Sequence, residues 1–403
     1  MARRKTTGAS FSLYYARGIG TLLYMEFTPR RYQASKLIAG VVRKGHPWIH
    51  RDALSSAIDA VPNGSLVRIV DGQNQFCANA IYEPHGSIAL RILPGGDPLS
   101  LDSFRALLQT LCETKKENGE AFRLINGEGD LFPGLTCDIY GKVAVWQPYL
   151  AFWDPLLPLF AGEITKLLGT ASHLLKPPTQ RGGPTTLLTG EAVEEPVRFS
   201  EGGLTFLAFP FTGQKSGFYL DLRGVRTHLP KMTLGRSTLN LFANNGAFTL
   251  IARRHGATAL LSVDSDPKAR AQAALLMEAN GYALPDEEWI TGDVFDVLQK
   301  LAGEGRRFDL VIIDPPNMCT NKASLIPALK GWEKLLRLGG DLLTDTGALL
   351  AINCSSFMPK SACEAAVADL KLIARKNGGM PLDHTTRPAF PEGNYLKWWV
   401  YTK

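Results

Sequence analysis

A strand–turn–helix–strand pattern at residues 238–264 constrains the fold of this chain more than any other stretch. The apolar run at 239–243 predicts a buried parallel strand, and the polar residues 244–246 predict a turn before a helix. A second apolar run at 259–263 ends on Asp264. A carboxylate about 20 residues beyond such a turn is placed to accept hydrogen bonds from ribose hydroxyls. The pattern therefore predicts a βαβ unit with a nucleoside site.

The composition of the turn narrows the class of ligand. Only Gly246 stands in it, so the three glycines that admit a pyrophosphate in dinucleotide-binding proteins are absent. A ligand with one nucleoside and no phosphate fits better than NAD, and S-adenosylmethionine (SAM) is such a ligand. A βαβ unit that binds nothing is the alternative. The residues predicted to line the SAM site in this stretch are Phe242, Asn244, Asn245, Gly246 and Asp264.

After residue 230, apolar runs and helical patterns alternate to the end of the chain. This alternation predicts an α/β fold with a Rossmann-like, doubly wound parallel sheet, in which ligands bind beyond the carboxyl ends of the strands. Asp293 follows the third predicted strand and suits an adenine amino group, although capping of the next helix also explains it. Asp314 ends the fourth strand and is followed by two prolines. It either presents its carboxylate from a rigid turn or only stabilises the turn itself.

Cys354 follows the fifth predicted strand and is the candidate nucleophile. A cysteine at such a strand end is reactive if its thiolate is accessible, whereas most free cysteines are small buried hydrophobic residues. Cys319 is a weaker candidate. The six cysteines show no C-x-x-C pair and no histidine at metal-ligand spacing, which predicts a reduced, cytoplasmic chain with neither zinc nor disulfides.

Length and charge set further limits. With 403 residues the chain is expected to form two or three domains, and no apolar run is long enough to span a membrane. Six basic residues and one acid before residue 32 carry most of the net charge of +6, so any RNA-binding surface must be a local patch.

Residues 1–27 predict a basic, disordered extension, with an organellar transit peptide as the alternative. Short alternating runs then predict a small β-rich module up to a linker at 94–98, and 176–196 predicts a flexible connection.

Further motifs follow one another in a fixed order at 44–48, 89–93, 128–140, 214–226, 240–248, 314–316, 354–355 and 391–397. In this order they resemble the bacterial ribosomal RNA (cytosine-C5) methyltransferases of the large subunit methyltransferase I group. The resemblance runs from about residue 30 to the last residue. It implies a PUA-like RNA-binding domain at 28–95, an α+β EEHEE domain at 96–198 and a class I SAM-dependent methyltransferase domain at 199–403.

The resemblance also implies a mechanism and a partner. Cys354 would add to C6 of cytosine and Asp314 would hold the base edge, while Lys215, Phe218, Asp293 and Asp314 would join the SAM site. The partner would be single-stranded or partly unfolded large-subunit ribosomal RNA. Candidate phosphate contacts, each also explained as ordinary solvated surface, are Arg43, Lys44, Lys215, Arg223 and Arg226.

The chain departs from the family pattern at several positions, which keeps other functions open. Two asparagines occupy the first turn where Tyr-Thr is usual, and Asn317 follows the two prolines. One alternative is a methyltransferase acting on another ribosomal RNA position, such as an exocyclic base nitrogen. Another is a catalytically decayed RNA-binding or ribosome-assembly protein. The target nucleotide, the maturation state of the RNA and the oligomeric state, a homodimer included, are left open, as is whether 1–24 belongs to the natural protein.

Overall fold

The chain folds into two units, which are defined by discontinuous segments. The computed structural model describes residues 29–54, 58, 62–96 and 99–403, and before residue 29 only the backbone of three strands. Unit 1 contains Met1–Phe199, Ala208–Phe218 and Asp383–Pro391, and unit 2 contains Ser200–Leu207, Tyr219–Leu382 and Glu392–Lys403. The predicted domain 199–403 therefore contributes two segments to unit 1. No helix in the described ranges is long and apolar enough to cross a membrane.

The N-terminal stretch contains β1 (Ala2–Arg4), β2 (Phe11–Tyr15) and β3 (Leu22–Phe27), which pair in a three-stranded antiparallel sheet. These strands differ from the disordered extension predicted for residues 1–27. The other residues of that extension lie outside the described part of the chain, and so do residues 97 and 98 of the predicted linker.

A five-stranded sheet with one helix follows, as the alternating runs predicted. Ser35 caps the helix, because its hydroxyl accepts a hydrogen bond from the amide of Ile38 at 3.3 Å. The sheet order is β4-β6-β7-β8-β5. The elements are β4 (Arg30–Gln33), α1 (Lys36–Arg43), β5 (Trp48–His50), β6 (Leu66–Val70), β7 (Phe76–Tyr82) and β8 (Ile88–Leu93).

A second five-stranded sheet packs against two helices around an aromatic core that includes Phe104, Phe132, Trp153 and Phe160. Its order is β13-β12-β11-β10-β9. The elements are α2 (Leu101–Lys115), β9 (Ala121–Asn126), β10 (Leu135–Tyr140), β11 (Val143–Pro148), α3 (Leu157–Leu168), β12 (Ser172–Leu175) and β13 (Thr186–Gly190). The prediction of a flexible connection at 176–196 was wrong over β13, whose backbone completes the sheet by pairing with β12.

The segment Asp383–Pro391 packs on the second sheet within unit 1. The buried ammonium of Lys115 donates to the carbonyl oxygen of Asp383 at 2.7 Å and forms an ion pair with Asp130. A Cβ at Gly129 would lie 2.0 Å from the carbonyl oxygen of Thr385, so only glycine fits there. Unit 1 is thus completed by nine residues that stand more than 250 positions further along the chain than Lys115 and Asp130.

Unit 2 contains a seven-stranded sheet in the order β18-β17-β16-β19-β20-β22-β21. The strands from β18 to β20 pair in parallel and β22 is antiparallel to both of its neighbours, which confirms the doubly wound fold. The strands of this sheet are β16 (Ser237–Leu241), β17 (Ala259–Asp264), β18 (Trp289–Thr291), β19 (Phe308–Ile313), β20 (Leu343–Asn353), β21 (Ile373–Gly378) and β22 (Lys397–Thr402).

The helices of unit 2 are α4 (Arg223–Thr233), α5 (Ala247–Arg254), α6 (Pro267–Glu278), α7 (Val294–Gly303), α8 (Leu325–Asp341) and α9 (Lys360–Ala366). A short two-stranded sheet, β14 (Val197–Glu201) with β15 (Leu204–Ala208), precedes them. Helical spacing in the sequence predicts one helix over residues 362–376, but α9 ends at Ala366 and residues 373–378 form the edge strand β21. Pairing with β22 satisfies its backbone there, so tertiary context outweighs local propensity.

We expect the stability of the sheet formed by β9 to β13 to fall in mild acid because of His173 on β12. This buried imidazole accepts from the indole Nε1 of Trp146 at 3.1 Å through Nδ1, and its Nε2 lies 2.9 Å from the Thr165 hydroxyl. Burial lowers the pKa of His173 to about 4. The neutral imidazole therefore stabilises the fold fully above the unfolded pKa of about 6.5, and this contribution is lost as the pH falls toward about 4.

The measurement is the urea midpoint of unfolding between pH 7.5 and pH 4.5, followed by tryptophan fluorescence. His173→Gln is expected to show a flatter dependence on pH than the wild type. His85→Gln, at an exposed loop position, is the matched control and should keep the wild-type slope. Equal slopes in His173→Gln and the wild type would contradict the assignment.

Candidate cofactor and catalytic site

The carboxyl ends of five parallel strands in unit 2 lie at one edge of the sheet. Because β18, β17, β16, β19 and β20 are neighbours in the sheet and run in the same direction, the residues that follow them are brought to this edge. The predicted site residues found there are Phe242, Asn244, Asn245, Gly246, Asp264, Asp293, Asp314 and Cys354.

The turn after β16 has an unusual backbone. Phe242 and Asn244 both adopt left-handed conformations, with φ of 59° and 48°, which non-glycine residues rarely do. Asparagine tolerates this region, and the Asn244 side chain accepts a hydrogen bond from the amide of Asn245 at 2.5 Å. The amide of Asn244 donates to Asp264 Oδ2 at 2.8 Å. The two asparagines that depart from the family pattern therefore form a turn held by its own hydrogen bonds.

Gly246 precedes α5 and has a φ of 77°. A Cβ at this position would lie 2.7 Å from the Cβ of Ala273 on α6. The glycine is thus required by its own backbone conformation and by close packing with α6. Close approach of a ligand is not needed to explain this glycine.

Asp264 has the arrangement expected of a ribose-binding carboxylate. It ends β17 and is partly exposed, and its two oxygens accept from the amides of Asn244 and Asp266, each at 2.8 Å. Two backbone donors fix the carboxylate, and the remaining lone pairs can accept from two hydroxyl groups. The donors and acceptors at this strand end therefore fit the nucleoside of SAM.

Asp293 caps the N-terminus of α7, which is the simpler of the two roles that the sequence predicts for it. Its Oδ1 accepts from the amides of Phe295 at 2.8 Å and Asp296 at 3.3 Å at the start of α7. Both hydrogen bonds use the same oxygen, and the side chain is exposed at the edge of the sheet. Capping does not prevent Oδ2 from accepting a hydrogen bond from a ligand amino group.

The loop after β19 lies beside the loop that carries the cysteine. The Cys354 Sγ lies 4.0 Å from the carbonyl oxygen of Pro315, the residue that follows Asp314. The amide of Met318 donates to the hydroxyl of Ser355 at 3.1 Å, which joins the two loops a second time. Cys354 and Asp314 are both partly buried. The structure therefore brings the predicted nucleophile and the predicted base-holding carboxylate onto adjoining loops.

The position after the prolines does not offer a stacking surface. Asn317 is exposed, and its side-chain oxygen accepts from the amide of Cys319 at 3.1 Å. The Cys319 side chain is buried, which suits packing rather than catalysis. Burial also raises the pKa of the Cys112 thiol to about 12 and that of the Cys363 thiol to about 11. In contrast, Cys354 is partly exposed.

The sequence did not single out Lys397, which lies beneath the cysteine loop. Its Nζ donates to the carbonyl oxygens of Ser355 at 2.6 Å and Met358 at 2.8 Å, although the side chain is buried. The signal that could have identified Lys397 was the motif at 391–397. A lysine in an apolar C-terminal strand is itself unusual.

Two predicted cofactor contacts belong to unit 1. Phe218 is buried and packs edge-on against Phe199, with their ring centroids 5.1 Å apart. Lys215 is exposed, and its backbone is left-handed with a φ of 48°. The hydroxyl of its neighbour Ser216 lies 2.8 Å from that of Tyr140. The structure thus places this motif in the framework of unit 1.

Most of the candidate phosphate contacts form ion pairs. Arg43 bonds to Asp71 at 2.5 Å, and Arg226 is buried and bonds to Glu201 at 2.5 Å. Arg223 bonds to the same glutamate at 3.2 Å. For these three arginines the interpretation as RNA contacts loses support, because their charges are already compensated.

Comparisons with known proteins agree with this architecture. Models of protein families match a PUA-like domain at residues 38–94 and an S-adenosylmethionine-dependent methyltransferase at residues 172–374. A ribosomal RNA large subunit methyltransferase from Deinococcus radiodurans is 30% identical over 395 residues, which cover 91% of this chain and 96% of that protein. Ribosomal RNA large subunit methyltransferase I from Photobacterium profundum is 30% identical over 389 residues, covering 88% and 95%.

Solved structures support the same fold. A protein from Streptococcus mutans, described as a candidate SAM-dependent methyltransferase, superposes with a TM-score of 0.81 at 22% identity, covering 93% of this chain and all of its own. A second candidate methyltransferase, complexed with SAH, gives a TM-score of 0.82 at 22% identity and covers 93% of this chain and 100% of its own. The match to the S-adenosylmethionine-dependent methyltransferase family model confirms SAM, the cofactor predicted from the turn.

We expect Gly246→Ala to destabilise unit 2 more than Gly281→Ala. Both glycines have a φ of 77°, so both substitutions carry the same backbone strain. A Cβ at Gly281 meets nothing within 4 Å, whereas one at Gly246 meets Ala273 at 2.7 Å. The packing difference predicts an additional loss of about 1–3 kcal/mol in the free energy of unfolding, measured by chemical denaturation. Equal losses would show that the contact with α6 does not require the glycine.

Proposed function

The chain belongs to the family of SAM-dependent ribosomal RNA large subunit methyltransferases, and from this premise we propose that it forms 5-methylcytidine in large-subunit ribosomal RNA. The observation that carries the proposal is the position of Cys354. Its partly exposed thiol follows β20 and lies 4.0 Å from the backbone of the loop that begins with Asp314. A thiol at this edge is the group that methylation at C5 of cytosine needs.

The need for a thiol follows from the reactivity of cytosine. C5 is too weak a nucleophile to attack a methyl group unaided. In the proposed reaction the Cys354 thiolate forms a bond to C6, and the electrons of the C5=C6 double bond make the ring an enamine with its nucleophilic carbon at C5. SAM supplies the electrophilic methyl group that C5 takes. Loss of the C5 proton to a base then restores the double bond and expels the thiolate.

Asp314 is proposed to orient the base. One oxygen of its carboxylic acid group would accept a hydrogen bond from the N4 amino group, and the other would donate the acid proton to N3, which favours addition at C6 because negative charge develops at N3. Pro315 restricts the backbone of Asp314, so the segment that presents the carboxyl group has little conformational freedom. The proposed assignment makes Asp314 specific for a base with an amino group.

The proposed cofactor contacts use the remaining strand-end residues. Asp264 would accept hydrogen bonds from the ribose hydroxyls, and Asp293 would accept from the adenine amino group through Oδ2. The turn at 242–246 would lie against the nucleoside. These roles are supported by the fixed, partly exposed carboxylate of Asp264 and by the exposed side chain of Asp293.

The RNA substrate is proposed from the relatives' names and from the PUA-like domain. A base inside a helix is inaccessible to a thiol, so the target must be unstacked, which costs least in single-stranded or partly unfolded RNA. Lys44 and Lys215 are exposed and remain candidate phosphate contacts. We place the reaction in the cytoplasm, since the proposed substrate is ribosomal RNA.

The reaction is tested by incubating ribosomal RNA with labelled SAM and analysing its nucleosides by mass spectrometry. Wild-type protein should produce labelled 5-methylcytidine, and Cys354→Ala should lower the rate at least about 100-fold while still binding SAM. Cys77→Ala, a partly buried cysteine of unit 1, is the matched control and should retain activity.

Other outcomes favour other functions. Label in a different nucleoside, made equally well by Cys354→Ala, would indicate a base-nitrogen methyltransferase. SAM binding without label in any RNA would favour the decayed RNA-binding protein. The first result would refute the cysteine mechanism, and the second would refute either the proposed substrate or the enzymatic activity.

The cofactor assignment has its own test. Asp264→Asn should weaken SAM binding about 10- to 100-fold, because hydrogen bonds to a charged acceptor contribute about 1.5–3 kcal/mol. Isothermal titration calorimetry measures this change. Asp345→Asn, at an exposed position of β20, is the control and should bind like the wild type. An unchanged dissociation constant for Asp264→Asn would remove Asp264 from the site.

A further inference from the structure

Lys397 is a buried lysine whose side chain contacts the loop that contains Cys354. It is the first residue of β22 and pairs across the antiparallel ladder with Asn353, the residue before Cys354. The side chain is 8% exposed. Its Nζ donates to the carbonyl oxygens of Ser355 at 2.6 Å and Met358 at 2.8 Å. One ammonium group therefore binds the loop on the C-terminal side of the cysteine at two points.

The charge of Lys397 has no acidic partner in the part of the chain that the structure describes, where no carboxylate oxygen lies within 4.0 Å of Nζ. A buried ammonium without a counter-ion is costly, and burial lowers the pKa of Lys397 accordingly. The two groups that act in the opposite direction are the thiols of Cys363 and Cys354. Since burial raises the pKa of Cys363 to about 11, that thiol is neutral near pH 7. Cys354 is the partly exposed thiol of the two.

The loop itself is otherwise held by neutral hydrogen bonds. The Asn353 side-chain oxygen accepts from the amide of Ser355 at 2.9 Å, and its Nδ2 lies 3.5 Å from the Met358 sulfur. The other titratable groups on the elements around Cys354 and Lys397 are Asp314, Cys319, Lys360, Cys363, Glu364 and Tyr401. Of the two lysines, Lys360 is exposed and lies 3.9 Å from Glu364, whereas Lys397 is buried.

We propose that Lys397 is a positioning residue that fixes the loop at 353–358 and supplies the positive charge that stabilises the thiolate of Cys354. The proposal rests on the proposed role of Cys354 as the nucleophile. The thiol loses its proton to solvent, and the ammonium keeps its own throughout. Attack on C6 removes the negative charge from sulfur and elimination restores it, so the same lysine also stabilises the leaving thiolate.

The test measures the reactivity of Cys354 without any RNA. Iodoacetamide alkylation of the peptide that contains Cys354 is followed by mass spectrometry from pH 6 to pH 10 in the wild type, Lys397→Met, Lys397→Gln and Lys397→Arg. Loss of the cation should move the midpoint of the pH–rate profile upward by about one pH unit in the Met and Gln variants, which is about tenfold slower alkylation near pH 7. Arg keeps the charge, so its midpoint should stay nearer to that of the wild type.

Lys176→Met is the matched control, because the half-buried Lys176 also donates to a backbone carbonyl, that of Gly213 at 2.6 Å, but belongs to unit 1. It should leave the Cys354 profile unchanged. SAM affinity and circular dichroism report whether each variant is folded. If Met does not fold, the comparison of Gln with Arg decides the result.

Two outcomes would overturn the inference. One is a folded Met or Gln variant with the wild-type midpoint, and the other is an Arg variant shifted as far as Gln. Failure of the proposed function looks different, because a wrong substrate leaves these alkylation profiles as expected while no 5-methylcytidine forms.

Discussion

The parallel pairing of β16, β19 and β20 is the constraint on which the site depends. Leu241 lies opposite Ile313, and Ile313 opposite Ala351, so the three strands end within a few residues of one another. This register, together with the parallel pairing of β17 with β16, brings the Asp264 carboxylate, the Asp314 loop and the Cys354 loop to one edge, although they are separated by up to 90 positions in the sequence. A shift of two residues in either pairing would move one reactive group away from the others.

The family motifs divide by function once they are placed in the structure. In unit 1 the motif residues hold the framework together: Trp48 donates from its indole to Glu128 at 2.8 Å, and Arg91 pairs with the same carboxylate at 2.5 Å. Asp138 pairs with Arg123 and also accepts from Ser216. These groups are largely buried and their charges are compensated. The family motifs of unit 1 are therefore explained by their contribution to the stability of the fold. At the strand ends of unit 2, in contrast, Asp264, Asp314 and Cys354 are partly exposed.

The sequence predicted what local periodicity can encode. The parallel sheet, the carboxylate at the end of β17 and the cysteine after β20 all follow from apolar runs and the polar residues that end them. It missed features that depend on distant partners. The edge strand β21 forms because its backbone pairs with β22. Lys397 lies beside the cysteine loop because β22 pairs antiparallel with β20. Similarly, no spacing rule indicates that Asp383–Pro391 completes unit 1.

The covalent step is the central claim, and a trapped intermediate tests it most directly. RNA carrying 5-fluorocytidine at the target position cannot lose a proton from C5, so the enzyme would remain attached after methyl transfer. The account predicts a protein–RNA adduct that depends on SAM and maps to the peptide containing Cys354, and no adduct with Cys354→Ala. Methylation of normal RNA without any adduct on the fluorinated substrate, or an adduct at another residue, would contradict it.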